Sequence, residues 1–173
     1  MTAYLTKDDL RAERRLYGAN PWLLQPGYWA IRVYRFGQTT IGRRGVRSKA
    51  RHGLYFLLYS VTRLATGIDI PRTVRVGQRL MIHHFGGIII HPQAVIGNDC
   101  VLRHGVTIGE RKPGAGVPII GDRVEFGAYA QVLGAIEVGD GARLGSLSVV
   151  LEDVPPGASA VGVPARIVGG NNA

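Results

Sequence analysis

The chain has 173 residues, of which 25 are glycine, 8 % are aromatic and one, Cys100, is cysteine. Glycine at about twice its usual ~7 % share disfavours a helix bundle, where each interior glycine is costly. A single cysteine excludes an intrachain disulfide framework and a cysteine zinc site, and points to a reducing compartment.

No apolar run reaches the roughly 18 residues of a membrane span, and the first residues lack the basic-then-apolar layout of a secretory signal. A cytoplasmic protein is expected. The net charge of +9 is unevenly placed: residues 1–68 hold twelve Lys/Arg against three Asp/Glu, whereas residues 69–173 are balanced. Composition divides at the same point, with helix-forming residues before Ile68 and glycine and β-branched residues after it. Two parts are expected: a basic helical segment over 1–68 and a β-rich domain over 69–173.

In the first part, Thr6-Lys7-Asp8-Asp9 reads as a helix start, with Thr6 as N-cap and acids in the first turn, and the helix should stop before Asn20-Pro21. Tyr28 to Phe36 and Lys49 to Ala65 read as two further helices, separated by the basic stretch Gly42 to Lys49. The third contains Leu54-Tyr55-Phe56-Leu57-Leu58-Tyr59, apolar all round. The first expectation is burial against the rest of the protein or a sister subunit. The second is peripheral contact with an anionic membrane, at the inner face for a cytoplasmic protein. Nucleic acid is not expected, because the aromatics do not form a stacking platform.

The second part repeats with a period of six. Apolar residues stand at Ile90, Ile96, Leu102, Ile108, Ile120, Phe126, Val132, Val138, Leu144 and Val150, with one double step across Glu110 to Ile119. Four residues after them come small or medium residues such as Ala94, Cys100, Val106, Ala130, Ala142 and Ser148. A shorter run, Ile70, Val76, Ile82 and Ile88, precedes in a phase offset by two residues, at Gly86 to Ile90. A hexad period is the signature of a parallel β-helix in which each hexad supplies one strand and one corner. Three hexads close one triangular coil, so Ile70 to Val150 makes about four and a half coils. The Gly- and Pro-rich segment Glu110 to Pro118 should leave the prism as a loop.

Asp69-Ile70-Pro71, Ile82-His83-His84-Phe85-Gly86-Gly87, Val106-Thr107-Ile108-Gly109, Val154-Pro155-Pro156 and Gly162-Val163-Pro164-Ala165-Arg166-Ile167-Val168 resemble the serine acetyltransferases. These belong to the left-handed β-helix, hexapeptide-repeat acyltransferases. The likeness runs from Ile68 to Gly169, about three-fifths of the chain. It implies a mainly β fold, a left-handed parallel β-helix with a short helical N-terminal segment, assembled as a homotrimer with sites between prisms.

Acyl transfer from a thioester to a hydroxyl needs a base for the hydroxyl proton and donors for the oxyanion. Imidazole is the usual base near neutral pH. Of His52, His83, His84, His91 and His104, spacing alone singles out two. His84 follows Ile82 by two residues and His104 follows Leu102 by two, and their separation of twenty is three hexads plus the two-residue offset. They should meet at one corner of adjacent coils.

The resemblance places the base on His84 and its orienting carboxylate on Asp69, with His104 available to bind acceptor or oxyanion. It also implies acetyl-CoA as donor, with Ala128 and Ser146 in backbone contact and Arg166 and Arg143 at its phosphates. No metal is expected.

Two departures bear on the acceptor. His83 stands where the family commonly has Asp to hold the amino group of serine, and Ala115-Gly116-Val117-Pro118 replaces an Asp-Arg-His-Pro stretch whose Arg grips the serine carboxylate. Each lost charged hydrogen bond costs about 1.5–3 kcal/mol. The expected acceptor is therefore a sugar hydroxyl of a polysaccharide or its lipid-linked precursor, with L-serine as the alternative. Two other readings are weaker. A β-helix carbonic anhydrase would hold zinc with three histidines, but the histidine spacing here does not match, and a non-catalytic scaffold would not bind acetyl-CoA.

Overall fold

The computed structural model describes residues 5–168. Four helices come first: α1 (Lys7–Leu16), α2 (Pro21–Leu24), α3 (Pro26–Gln38) and α4 (Val46–Thr66). The expected start of α1 is present as a reciprocal cap: the Asp9 N–H donates to Thr6 Oγ1 (3.1 Å) and the Thr6 N–H to the Asp9 carboxylate (2.8 Å). The single turn α2 carries too few residues to show a helical period. Gly67 ends α4 in the left-handed region (φ +65°), its N–H bonded to the Arg63 carbonyl at 2.8 Å.

The chain then winds into a parallel β-helix. The first coil is β1 (Ile68–Asp69), β2 (Arg75–Val76) and β3 (Met81–His83), and the second is β4 (Ile88–Ile90), β5 (Val95–Ile96) and β6 (Val101–Arg103). The third is β7 (Thr107–Gly109), β8 (Ile119–Ile120) and β9 (Glu125–Phe126), and the fourth is β10 (Gln131–Leu133), β11 (Glu137–Val138) and β12 (Arg143–Leu144). The fifth is β13 (Val149–Val150), a bridge at Val154 and β14 (Ser159–Gly162), closed by an antiparallel hairpin with β15 (Ala165–Val168). The three faces are stacks in the order β1-β4-β7-β10-β13, β2-β5-β8-β11 and β3-β6-β9-β12-β14-β15.

Every apolar position of the hexad series lies inside the prism at 3 % exposure or less, from Ile90 to Val150. The small positions are equally enclosed: Ala94, Cys100, Val106, Ala130, Ala142 and Ser148 are all at 0 %. Burial also pushes the Cys100 thiol up to about 11, which keeps it protonated and unreactive. Ile96 pairs with Ile120, so Glu110 to Pro118 is extra chain that projects from the third coil as expected.

The helices cover the open end of the first coil, where strand edges would otherwise stand unpaired. Tyr17 donates its hydroxyl to the Leu80 carbonyl and accepts from the Ile82 N–H, both at 3.0 Å. Tyr34 does the same between the Val74 carbonyl (2.8 Å) and the Val76 N–H (3.2 Å). α3 lies so close to β3 that a Cβ on Gly27 would come within 2.7 Å of the Ile82 carbonyl oxygen.

Arg35 completes this cap. It reaches the Val76 carbonyl (3.1 Å) and the Gly77 carbonyl (2.6 Å) while pairing with Glu13 at 2.7 Å, both side chains being 5 % exposed or less. Replacing Arg35 by Ala would strand a buried carboxylate and two carbonyls. Urea unfolding should show a loss of about 3–5 kcal/mol, the usual cost of breaking a buried pair from one side. A loss under about 1 kcal/mol would show that the cap is not built on this pair.

The apolar run in α4 behaves differently from the first expectation. Within the chain only Tyr55 of Leu54 to Tyr59 is buried, while Leu54, Phe56, Leu57 and Leu58 face outward. Burial against the rest of the same chain is thus corrected. A helix resting on a prism end presents one side to it, and Tyr55 already fills that side.

Candidate active site

His84 stands on a bulge between the first and second coils. His83 pairs with Arg103 in the β3–β6 ladder, and Ile89 pairs with Thr107 in the β4–β7 ladder. Six steps on one coil therefore match four on the next. The Gly105 N–H donates to the Gly86 carbonyl at 2.8 Å, which places the two extra residues at His84 and Phe85. The phase offset thus enters just before the interval marked by the apolar spacing. His84 takes φ +64° in doing so, a conformation that L-residues other than Asn, Asp and His rarely adopt. Arg79, Asp99, Arg123, Tyr129 and Leu147 adopt the same left-handed conformation elsewhere on the coils.

The bulge holds His84 exposed beside His104, their ring centroids 5.9 Å apart and nearly perpendicular at 84°. Tyr129 also lies edge-on to His104, at 5.0 Å between ring centroids. A Cβ on Gly105 would overlap the Tyr129 ring, so glycine there is what lets the tyrosine reach the histidine. His104 Nδ1 is buried without a partner, which leaves Nε2 as its nitrogen for polar exchange. The pairing expected from the spacing of twenty is present.

Of the residues expected to meet the donor, Ala128 and Ser146 fall on the same edge of the prism as His104. The Tyr129 N–H bonds to the His104 carbonyl (2.9 Å) and the Leu147 N–H to the Ala128 carbonyl (2.8 Å). With Phe126 paired to Leu144, this stacks His104, Ala128 and Ser146 on successive coils. Ala128 and Ser146 carry small side chains, so the backbone can be approached closely at those two coils. Arg143 and Arg166 are exposed and form no ion pair among the described residues.

Asp69 is placed otherwise. Its carboxylate accepts from the Tyr59 hydroxyl and from Arg63 at 3.3 Å, and His84 is not among its partners. The side chains that hold it both come from α4. The expectation that Asp69 orients His84 therefore has no contact within one chain to rest on.

His83, expected near the acceptor, is exposed and sits in register with Arg103. Desolvation, then the Arg103 charge and then His84 lower its imidazole pKa below the ordinary histidine range, which favours the neutral form. The Glu110 to Pro118 loop is held at its base. Glu110 accepts from the Gly114 N–H at 3.2 Å and lies 3.9 Å from His91. Arg111 and Lys112, ahead of the Ala115 to Pro118 stretch, stand exposed on it as two cations. Among the described residues no three His, Cys, Asp or Glu side chains converge on a point that could hold a metal ion.

A parallel β-helix of hexads with paired histidines at one edge matches the architecture of the hexapeptide-repeat acyltransferases. No family profile matches the chain. The serine acetyltransferase of Mycobacterium tuberculosis is 37 % identical over 174 residues, spanning 94 % of this chain and 72 % of that protein. That of Helicobacter pylori strain J99 is 39 % identical over 157 residues, spanning 86 % of each. The chain belongs to the serine acetyltransferase family.

Among solved structures, the serine acetyltransferase of Brucella abortus superposes with a TM-score of 0.79 at 30 % identity, over 94 % of this chain and 68 % of that one. Its complex with coenzyme A gives 0.77 at 30 % identity, over 94 % and 64 %. The soybean enzyme complexed with serine gives 0.77 at 36 % identity, over 92 % and 66 %.

Proposed function

We propose that this chain transfers an acetyl group from acetyl-CoA to a hydroxyl, with His84 as general base and L-serine as the acceptor that its kinship supports. The observation that carries the reaction is the bulge that presents His84 against His104, at the head of the Ala128–Ser146 column. His84 takes the acceptor hydroxyl proton as the oxygen attacks the thioester carbonyl. The carbon–sulfur bond breaks, and the protonated imidazole returns the proton to the departing thiolate. The products are an O-acetyl ester and free coenzyme A.

The column from His104 to Ser146 suits the donor's extended arm, and Arg143 and Arg166 suit its phosphates. Assembly as a homotrimer, with the donor lying between prisms, belongs to the same proposal. Arg111 and Lys112 supply cations for a serine carboxylate on the loop where the family's Arg is missing.

The sugar acceptor expected from the sequence is the second reading, and one specific observation favours it. Where a carboxylate would hold an amino group, the chain has His83, its neutral form favoured by desolvation and by Arg103. An ammonium group there would be desolvated without a partner, whereas a neutral pyranose brings no such charge. The test follows thiol release from acetyl-CoA with L-serine and with a panel of neutral glycans. The proposal expects L-serine to have the higher kcat/KM. A glycan preferred by about tenfold or more, only ~1.4 kcal/mol of differential stabilisation, would transfer the assignment to sugars.

A further inference from the structure

The outward-facing apolar side of α4 continues across its neighbours. Leu54, Leu57, Leu58, Val61 and Leu64 recur at three- and four-residue intervals, forming one stripe exposed by between 38 % and 84 %. α2 adds Trp22, Leu23 and Leu24, at 56 %, 78 % and 67 %. The two are joined by an apolar groove of about 520 Å³ whose walls include Trp22, Trp29, Phe36 and Leu58. Contiguous exposed apolar surface on this scale marks an interaction site.

Charge identifies what it meets. Arg32 stands in the groove, and Arg11 and Arg14 share a second concavity with Trp22. Arg43, Arg44 and Lys49 cluster at the start of α4. The three acids of this segment are all engaged: Asp8 with Arg11, Asp9 in the α1 cap, and Glu13 buried with Arg35. A second copy docking face to face through this same surface would set cation against cation with no acid to answer. An anionic lipid surface satisfies both components, since Trp and Leu enter the headgroup–acyl boundary while arginines meet phosphates. No helix among the described residues is long and apolar enough to cross a membrane, so the contact is at the surface.

We propose that the α2–α4 face docks this protein on anionic membrane surfaces. The inference is independent of which acceptor the active site takes. The test is co-sedimentation of the full chain with phosphatidylglycerol-containing vesicles or with pure phosphatidylcholine vesicles, at low and high salt. The expected result is binding at least about tenfold stronger to the anionic vesicles, weakened by salt. A Leu57→Glu/Leu64→Glu variant should lose that binding by about tenfold while keeping its circular dichroism spectrum and its acetyl transfer to soluble acceptors.

Equal partition to both vesicle types, or undiminished binding of the variant, would overturn the proposal. So would vesicle binding absent in the wild type alongside a self-association that the variant abolishes, which would assign the face to a second copy. Failure of acetyl transfer with vesicle binding intact would refute the functional proposal and leave this one standing.

Discussion

Replacing His84 by Asn should lower kcat by about two to four orders of magnitude, the span usual for removing a general base. Asn is the informative substitution because it tolerates the left-handed conformation that His84 adopts. The bulge is then kept and only the base is lost. His84→Ala should lose as much activity, with some added backbone strain at φ +64°. The unfolding midpoint of the Asn variant should match the wild type, since His84 is exposed and fills no core position. If turnover persists within about threefold, the hydroxyl proton is taken elsewhere. His104 would be the first candidate, at a ring distance of 5.9 Å.

The second large effect concerns the acceptor. His83→Asp should raise kcat/KM for L-serine by at least about tenfold, because it installs a carboxylate for the ammonium group and a charged hydrogen bond contributes ~1.5–3 kcal/mol. The KM for acetyl-CoA should stay unchanged, since His83, in the β3–β6 ladder, is not part of the His104–Ser146 column proposed for the donor. The effect has the same sign whether serine is the native acceptor or a poor one. Only its starting point differs. An unchanged or lower serine kcat/KM would mean that Arg103, in register with this position, captures the new carboxylate instead.

Much of this architecture can be read from spacing, because a prism of hexads leaves one place for a large aliphatic side chain. Ile90 to Val150 therefore all end inside. The approach of His84 to His104 follows from the same arithmetic. The exact place of the two-residue bulge does not, since residues 83 to 87 put no side chain into the core and so leave no periodic trace. Nor do the tyrosine hydroxyls that close the first coil: Tyr17 and Tyr34 each act through one oxygen on strands some forty to sixty-five residues away.

Asp69 shows a different limit. A resemblance predicts its partner by position, while in the folded chain α4 places Tyr59 and Arg63 on it first. The outward face of α4 was legible as apolar but not as exposed. An all-round apolar turn carries no moment to say which side is covered.

Acetyl transfer to serine with His84 as base is tested by measuring both products. The protein is incubated with acetyl-CoA and L-serine, and O-acetylserine and free coenzyme A are quantified together, for the wild type and for His84→Asn. The wild type should yield equal amounts of the two products, and the variant about a hundredfold less or lower still. Coenzyme A released at the same rate with and without acceptor, or ester formed equally well by His84→Asn, would contradict this expectation.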